Sequence, residues 1–189
     1  MRQFVRMLLL RMGLLYRVDS LINARRRKKF TPVIGSELEV MVVSPGGVGT
    51  TMLIEHMAKF KQVNSAGDED GLKHLPQVPP SVQGVPVVFL TESPEIAIQS
   101  LASRKFLDAN AVKLGSLLYF LVPHSFQNLF MRRAISRQER NWMNSEANVM
   151  RVSYGDLWER LPEIAEHLGV TDPSFVSSFP AQKPRTSGS

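Results

Sequence analysis

A glycine-rich loop is the segment of this sequence with the clearest chemical potential. Residues 44–51 read Ser-Pro-Gly-Gly-Val-Gly-Thr-Thr and lie between a β-branched run, Glu37–Ser44, and a helical pattern that starts at Thr50. Glycines let a backbone approach an anion closely, and the free N–H groups and dipole of a helix start then hold the anion. The loop therefore predicts a phosphate site, with a plain strand-to-helix turn as the alternative. The predicted contacts are Pro45, Gly46, Gly47, Val48, Gly49, Thr50 and Thr51.

The residue after the last glycine indicates which class of phosphate-binding protein the loop fits. Nucleotide triphosphatases place a lysine and then Ser or Thr after that glycine, because the lysine and a magnesium ion offset the triphosphate charge. Here Thr50 follows Gly49 directly. The sequence therefore disfavours ATP or GTP hydrolysis. It also shows no cluster of divalent-metal ligands, so we expect no metal requirement.

Several further segments follow the loop in a recognisable order. The Pro-x-x-x-Gly-Thr-Thr pattern of residues 45–51 resembles the 5′-phosphosulfate loop of sulfotransferases that use 3′-phosphoadenosine 5′-phosphosulfate. Residues 72–76, Leu-Lys-His-Leu-Pro, look like the family's Lys-Thr-His-Leu-Pro segment shortened by one residue. Residues 92–95 with Ser100 are similar to its Arg-x-Pro step, and residues 152–157 to its Tyr-Glu-Asp-Leu step. The resemblance covers roughly residues 37 to 186 and rests on the order of the motifs.

This resemblance implies a chemistry for the loop and for the segment at residues 72–76. The donor would be 3′-phosphoadenosine 5′-phosphosulfate, and the acceptor a hydroxyl on a carbohydrate or small metabolite. Backbone N–H groups of residues 47–51 would bind the 5′-phosphate. His74 would act as general base, for which an imidazole suits, and Lys73 would neutralise charge on the bridging oxygen. A loop histidine bonded to backbone and a solvated lysine are the alternatives, with Glu69 and Asp70 as less favoured bases.

The 3′-phosphate of the donor would be bound by residues farther along the chain. Ser100 and Arg104 are four residues apart, so they share one helix face. A guanidinium can grip an anion with two N–H groups. Arg185 in the tail is a further candidate. A surface helix arginine and an unengaged tail are the alternatives for these residues.

Two positions depart from the family pattern. Gly47 stands where the family has its loop lysine, and Glu92 stands where it has the strand-end arginine that holds the 3′-phosphate. A carboxylate facing a phosphate lowers affinity unless a cation lies between them. The sequence therefore leaves two functions open: a sulfotransferase, or a catalytically impaired phosphate-loop protein that serves as a binding or scaffold module.

The elements that would position these residues alternate between strand and helix. Buried strands are predicted over residues 37–44, 85–91 and 149–154, with a shorter one over residues 62–66. Helices are predicted over residues 50–60, 94–106, 110–122 and 125–143, and from Asp156 to about residue 168, with Ser93 as the N-cap of the second. Alternating strands and helices predict an α/β fold, a three-layer sandwich with a mostly parallel central sheet, like that of the P-loop NTPases.

The charge is concentrated in the first residues of the chain. Of the 23 Lys and Arg residues, nine lie in residues 1–29 beside one acid, so the remaining residues carry a slight negative excess. We therefore predict a basic amphipathic arm over residues 1–30, an α/β domain over residues 31–189 and no nucleic-acid binding.

The arm allows three interpretations. It could bind an anionic membrane, since apolar burial and charge attraction add. It could instead be a solvated or body-covering segment, or an Arg-rich targeting peptide. We expect a cytoplasmic or peripheral membrane protein, with organelle targeting left open. The absence of cysteine excludes a thiolate nucleophile.

Overall fold

The computed structural model describes residues 38–79, 82 and 84–182. The basic arm predicted for residues 1–30 lies outside the described residues, and so does Arg185. Among the described residues, no helix is long and apolar enough to cross a bilayer.

The described part contains a parallel sheet of three strands: β1 (Met41–Val43), β2 (Val87–Thr91) and β3 (Val149–Ser153). β2 is the middle strand, and its Val87 lies opposite Met41 on one side and Val149 on the other. Strands of a covered parallel sheet are expected to read as continuous apolar runs, and all residues of β1 and β2 are buried. The α/β class predicted from the sequence is confirmed, although each strand is shorter than predicted.

The outer edge of β1 is completed by a side chain instead of a strand. The short strand predicted over residues 62–66 is reduced to a single parallel bridge between Val63 and Val40. Next to it, the buried Asn64 amide accepts from the Val42 N–H at 2.8 Å and donates to the Val42 carbonyl at 3.0 Å. The segment at Val63 and β2 therefore flank β1 on opposite sides.

Helices connect the strands and flank the sheet. They are α1 (Thr50–Met57), α2 (Pro94–Ser103), α3 (Leu107–Lys113), a 3₁₀ helix (Leu117–Phe120), α4 (His124–Met143), α5 (Leu161–His167) and α6 (Ser174–Ser177).

Two of the predicted helices differ most from their predicted bounds, while the others end or begin within a few residues of them. The helix predicted over residues 110–122 is divided, because Gly115 adopts a φ of 67° between α3 and the 3₁₀ helix. The helix predicted from Asp156 starts only at Leu161, after a run of turns over residues 154–160. Pro162 lies in its first turn, where proline removes no helical hydrogen bond.

Alternate strand residues enter two separate apolar clusters, one on each face of the sheet. On one face Val88 packs in the cluster that contains Leu53 of α1. On the other face Phe89 packs near Trp142 of α4, with ring centroids 6.3 Å apart. Both faces of the sheet are therefore covered, which fixes β1 and β2 and the loops that leave them.

Candidate functional site

The glycine-rich loop leaves the sheet at the place where the strand order reverses. From β1 the chain passes through α1 to Val63 on one side, and then returns to form β2 on the other side. In open α/β sheets, ligands bind at the carboxyl ends of the strands at such a reversal. The loops after β1 and β2 meet at this position.

The loop backbone adopts conformations that favour glycine. Gly46 and Gly49 have φ values of 98° and 75°. A Cβ atom on Gly46 would lie 2.3 Å from Asn110 Nδ2, and one on Gly49 would lie 2.4 Å from Tyr154 Cε2. Both the backbone angles and the close neighbours therefore require glycine at these positions.

Gly47, the middle glycine of the loop, is confined by α2. Its φ is 80°, and a Cβ atom there would lie 2.9 Å from the Ala97 carbonyl oxygen and 3.3 Å from Ser100 Cβ. Any longer side chain would therefore strain the backbone and press against α2. The structure therefore does not accommodate a lysine at this position, and it places Ser100, the predicted 3′-phosphate contact, beside the loop.

The start of α1 has no side-chain cap. Gly49 occupies the N-cap position, and no side-chain oxygen accepts from the first turn. Within the described residues, none of the backbone N–H groups of residues 47–52 donates to a protein acceptor. The N–H groups at a helix start carry partial positive charge, so this row of donors suits an anion.

Several predicted loop contacts are turned inward and hold the loop together. Pro45, Val48 and Thr50 are buried. The Thr50 hydroxyl lies 2.5 Å from Ser44 Oγ, which also accepts from the Gly46 N–H at 3.0 Å. The Thr50 hydroxyl therefore has a structural partner, whereas Thr51 is exposed.

Lys73 brings a buried cation to the loop. Its ammonium donates to Thr51 Oγ1 and to the Ala66 carbonyl, both at 2.6 Å, and the residue is 7% exposed. Burial lowers the pKa of Lys73, and the charge of Asp68 opposes that shift. An ammonium has three N–H donors, and the third has no acceptor among the described residues. A buried cation of this kind favours a bound anion beside Thr51.

His74 is attached to the strand end that precedes the loop. The Ser44 N–H donates to the Lys73 carbonyl at 3.0 Å, and His74 Nδ1 lies 2.9 Å from the Ser44 carbonyl. Nδ1 must therefore carry the proton, which leaves Nε2 with a lone pair. Burial lowers the pKa of His74 to about 4, so the ring is neutral at pH 7 and is a weaker base than the sequence suggested.

Gln138 is a contact that the sequence analysis missed. Its side-chain nitrogen donates to the Ser44 carbonyl at 3.2 Å and to the Leu75 carbonyl at 2.8 Å, and the residue is fully buried. It thereby joins α4 to both the loop and the histidine segment. The sequence could have indicated this contact, because Gln138 is a polar residue on the apolar stripe of α4. That stripe contains Met131, Ala134, Ile135 and Trp142.

The remaining predicted residues take three different positions. Arg104 donates to the Ser100 hydroxyl at 3.1 Å and to the Ser100 carbonyl at 3.0 Å, so the structure brings this pair together on an exposed helix end near Gly47. Asp70 accepts from the backbone N–H groups of Ser65 and Leu72 at 2.6 and 3.0 Å, which gives it a structural role in its turn. Exposed Glu69 likewise accepts from the Ser65 hydroxyl.

Glu92 lies at the strand reversal, directly after β2. It is half-buried, and its carboxylate accepts from the Ser93 N–H at 3.0 Å. A negative charge is therefore close to the candidate site. Among the described residues, no group of His, Asp or Glu side chains is arranged to hold a metal ion.

Comparison with known proteins gives no relative for this arrangement. No protein-family model, no curated protein and no solved structure matches the chain.

Proposed function

We propose that this protein binds the phosphosulfate end of a nucleotide donor at the start of α1 and transfers the sulfuryl group to a hydroxyl. The proposal is carried by the row of N–H groups at residues 47–52, which have no acceptor in the described part of the chain, beside the buried ammonium of Lys73. Together they supply directed donors and one positive charge around a single position. We include in this proposal that the strand, the loop and the helix form a phosphate site like that of the P-loop proteins.

The transfer needs positioning and charge stabilisation more than covalent chemistry. The acceptor oxygen forms a bond to sulfur while the bond between sulfur and the 5′-phosphate oxygen breaks. Negative charge grows on that leaving oxygen, and the N–H groups and Lys73 stabilise it. The hydroxyl proton passes to Nε2 of His74.

A second function is favoured by two specific observations. The pKa of His74 is lowered to about 4, which weakens it as a base, and Glu92 adds negative charge where the donor's 3′-phosphate would bind. Both fit a phosphate-loop module that binds its ligand without transferring a group. Binding and transfer must therefore be measured separately.

The first experiment is calorimetric titration of adenosine 3′,5′-bisphosphate and of ATP with magnesium. We expect the bisphosphate to bind more tightly, and Lys73→Met to weaken binding roughly 10- to 100-fold because a charge-assisted contact is lost. Lys61→Met is the matched control, because Lys61 pairs with Glu39 away from the loop. Preference for ATP, or no binding at millimolar bisphosphate, would contradict the proposal.

The second experiment measures transfer of labelled sulfate to a panel of hydroxyl acceptors. His74→Ala should retain bisphosphate binding and reduce transfer on the order of 100- to 10,000-fold, the usual contribution of a general base. Binding by the parent protein without transfer to any acceptor would instead support the binding module.

A further inference from the structure

An apolar corner is exposed where the 3₁₀ helix turns into α4. Leu118 and Leu121 are 56% and 65% exposed, and Phe126 and Leu129 are 54% and 42% exposed. In the described part of the chain, these four account for most of the large apolar side chains that face solvent. We call them the apolar corner.

The local structure explains why the first two point outward. Residues three apart on a 3₁₀ helix eclipse one another, so Leu118 and Leu121 share its outer side. Tyr119 faces the core at 1% exposure, and its hydroxyl donates to Asp108 at 2.7 Å. The core thus fixes this segment with Leu118 and Leu121 in solvent.

The other two belong to the outward face of α4. Phe126, Leu129 and Arg133 are spaced three and four apart, so they lie along one face of this helix. The opposite face is buried and holds Met131, Ala134, Ile135, Gln138 and Trp142. The apolar corner therefore continues directly into a basic stretch of the same helix face.

This stretch of the chain is basic, although two carboxylates lie beside it: Asp108 accepts from Tyr119, and Glu95 pairs with Arg132. Residues 117–137 contain three arginines and no acid. Arg132 pairs with Glu95 at 2.6 Å, whereas Arg133 and Arg137 have no carboxylate partner among the described residues. Arg133 lies 5.7 Å from the Phe130 ring centroid, and Arg137 donates to the Leu114 carbonyl. Two arginines therefore leave net positive charge beside the corner.

We propose that the apolar corner docks onto an anionic lipid surface. Apolar tips enter the boundary between head groups and acyl chains, and arginines behind them attract anionic head groups, so the two contributions add. A second copy of this chain fits less well, because two copies would bring like charges together. This surface is formed by described residues only and includes none of residues 1–30.

The absence of cysteine makes a direct test available. A single Leu121→Cys variant of the full chain is labelled with an environment-sensitive fluorophore and mixed with phosphatidylcholine vesicles, with or without phosphatidylserine. We expect the emission to shift to shorter wavelength, and brominated acyl chains to quench it, only when phosphatidylserine is present. Val176→Cys is the matched control, because Val176 is an exposed apolar residue on α6, and its label should not respond.

Three results would overturn the proposal. The chain could float with anionic vesicles while the label at position 121 stays in water, which would assign binding to another segment. The label could respond equally to vesicles without phosphatidylserine. It could also shift with protein concentration in the absence of vesicles, which would assign the corner to a second copy.

A charge variant tests the basic part of the surface. One arginine near a membrane contributes about a fivefold change in partition, so Arg133→Gln should weaken vesicle binding of the labelled chain by about that factor. Lys61→Gln, where the native lysine pairs with Glu39, should leave the partition unchanged. Equal effects of both variants would contradict a directed surface.

Discussion

The starts of α1 and α2 follow adjacent parallel strands, yet they are built in opposite ways. α2 is closed by its own residues: Ser93 Oγ accepts from the Ile96 N–H at 3.3 Å, and Pro94 in the first turn has no N–H to satisfy. α1 starts from Gly49 in a left-handed conformation with no side-chain cap. The comparison shows that a helix start without its own cap keeps its donors available for a ligand.

The neighbouring side chains extend this difference. Lys73 places an ammonium beside Thr51 at the start of α1. Glu92 lies beside the start of α2, where its carboxylate accepts from the Ser93 N–H. A buried ammonium therefore lies at the open start and a carboxylate at the closed start, while Asp68 also acts on the Lys73 charge and Arg132 pairs with Glu95 in the first turn of α2. An ammonium beside the donors of α1 favours an anionic ligand there.

The largest expected effect is on stability, from adding a side chain to the open start. Gly49→Ala places a Cβ atom 2.4 Å from Tyr154 at a φ of 75°. We expect the free energy of unfolding to fall by roughly 3 kcal/mol, from backbone strain together with overpacking. Urea denaturation measures this.

Gly169→Ala is the matched control, because Gly169 has a φ of 63° but no atom within 4 Å of the position that a Cβ would take. It should cost only about 1 kcal/mol, from backbone strain alone. Equal costs at both sites would show that the contact with Tyr154 contributes nothing.

A second prediction is that acid destabilises the start of α1 more than the start of α2. Burial lowers the pKa of His74 from 6.5 to about 4, so the unfolded chain binds a proton more readily than the folded chain between these values. Stability should therefore fall as the pH drops from 6.5 to 4, by up to about 3 kcal/mol.

Denaturation at several pH values checks this loss of stability. His74→Gln should flatten the dependence. Burial also lowers the pKa of His56, but His56 is present in both proteins, so the difference isolates His74. Hydrogen exchange should show the loosening at the amides of Ser44 and Gly46, which donate to the Lys73 carbonyl and the Ser44 hydroxyl, and not at the start of α2. An unchanged slope in the variant would remove His74 as the cause.

The smallest expected effect on stability comes from removing the side-chain cap at the start of α2. Ser93→Ala removes the cap of α2 and should cost about 1 kcal/mol of stability, measured by urea denaturation. Bisphosphate affinity should stay unchanged, because the ligand is assigned to α1. A marked loss of affinity would mean that the start of α2 also contributes to the site.

The sequence predicted the parts of this arrangement that depend on neighbouring residues. The three strands, the loop and the Ser93 cap follow from apolar runs, glycines and capping residues that are close together in the chain. The contact between Lys73 and Thr51 was not predicted, because the resemblance only assigned each residue to the nucleotide donor. The separation of these two residues along the chain gives no local pattern for their contact.

The features that the sequence did not predict correctly, or did not predict at all, depend on tertiary contacts. The strand predicted at residues 62–66 is reduced because the Asn64 side chain takes over the pairing at Val42. The lowered pKa of His74 follows from burial of its side chain, which no local pattern of the sequence specifies. Gln138 contacts Ser44 across 94 positions of the chain. Such contacts are fixed by packing and not by local propensity.

The pairing of Asn64 with Val42 also bears on self-association. Open sheet edges recruit strands from other molecules, and proteins block them with side chains and charges. At one edge of this sheet Asn64 occupies both backbone groups of Val42, and at the other Arg160 donates to the Arg151 carbonyl at 2.9 Å. Side chains therefore occupy backbone groups at both borders of this small parallel sheet, which leaves fewer groups to pair with a strand of another molecule.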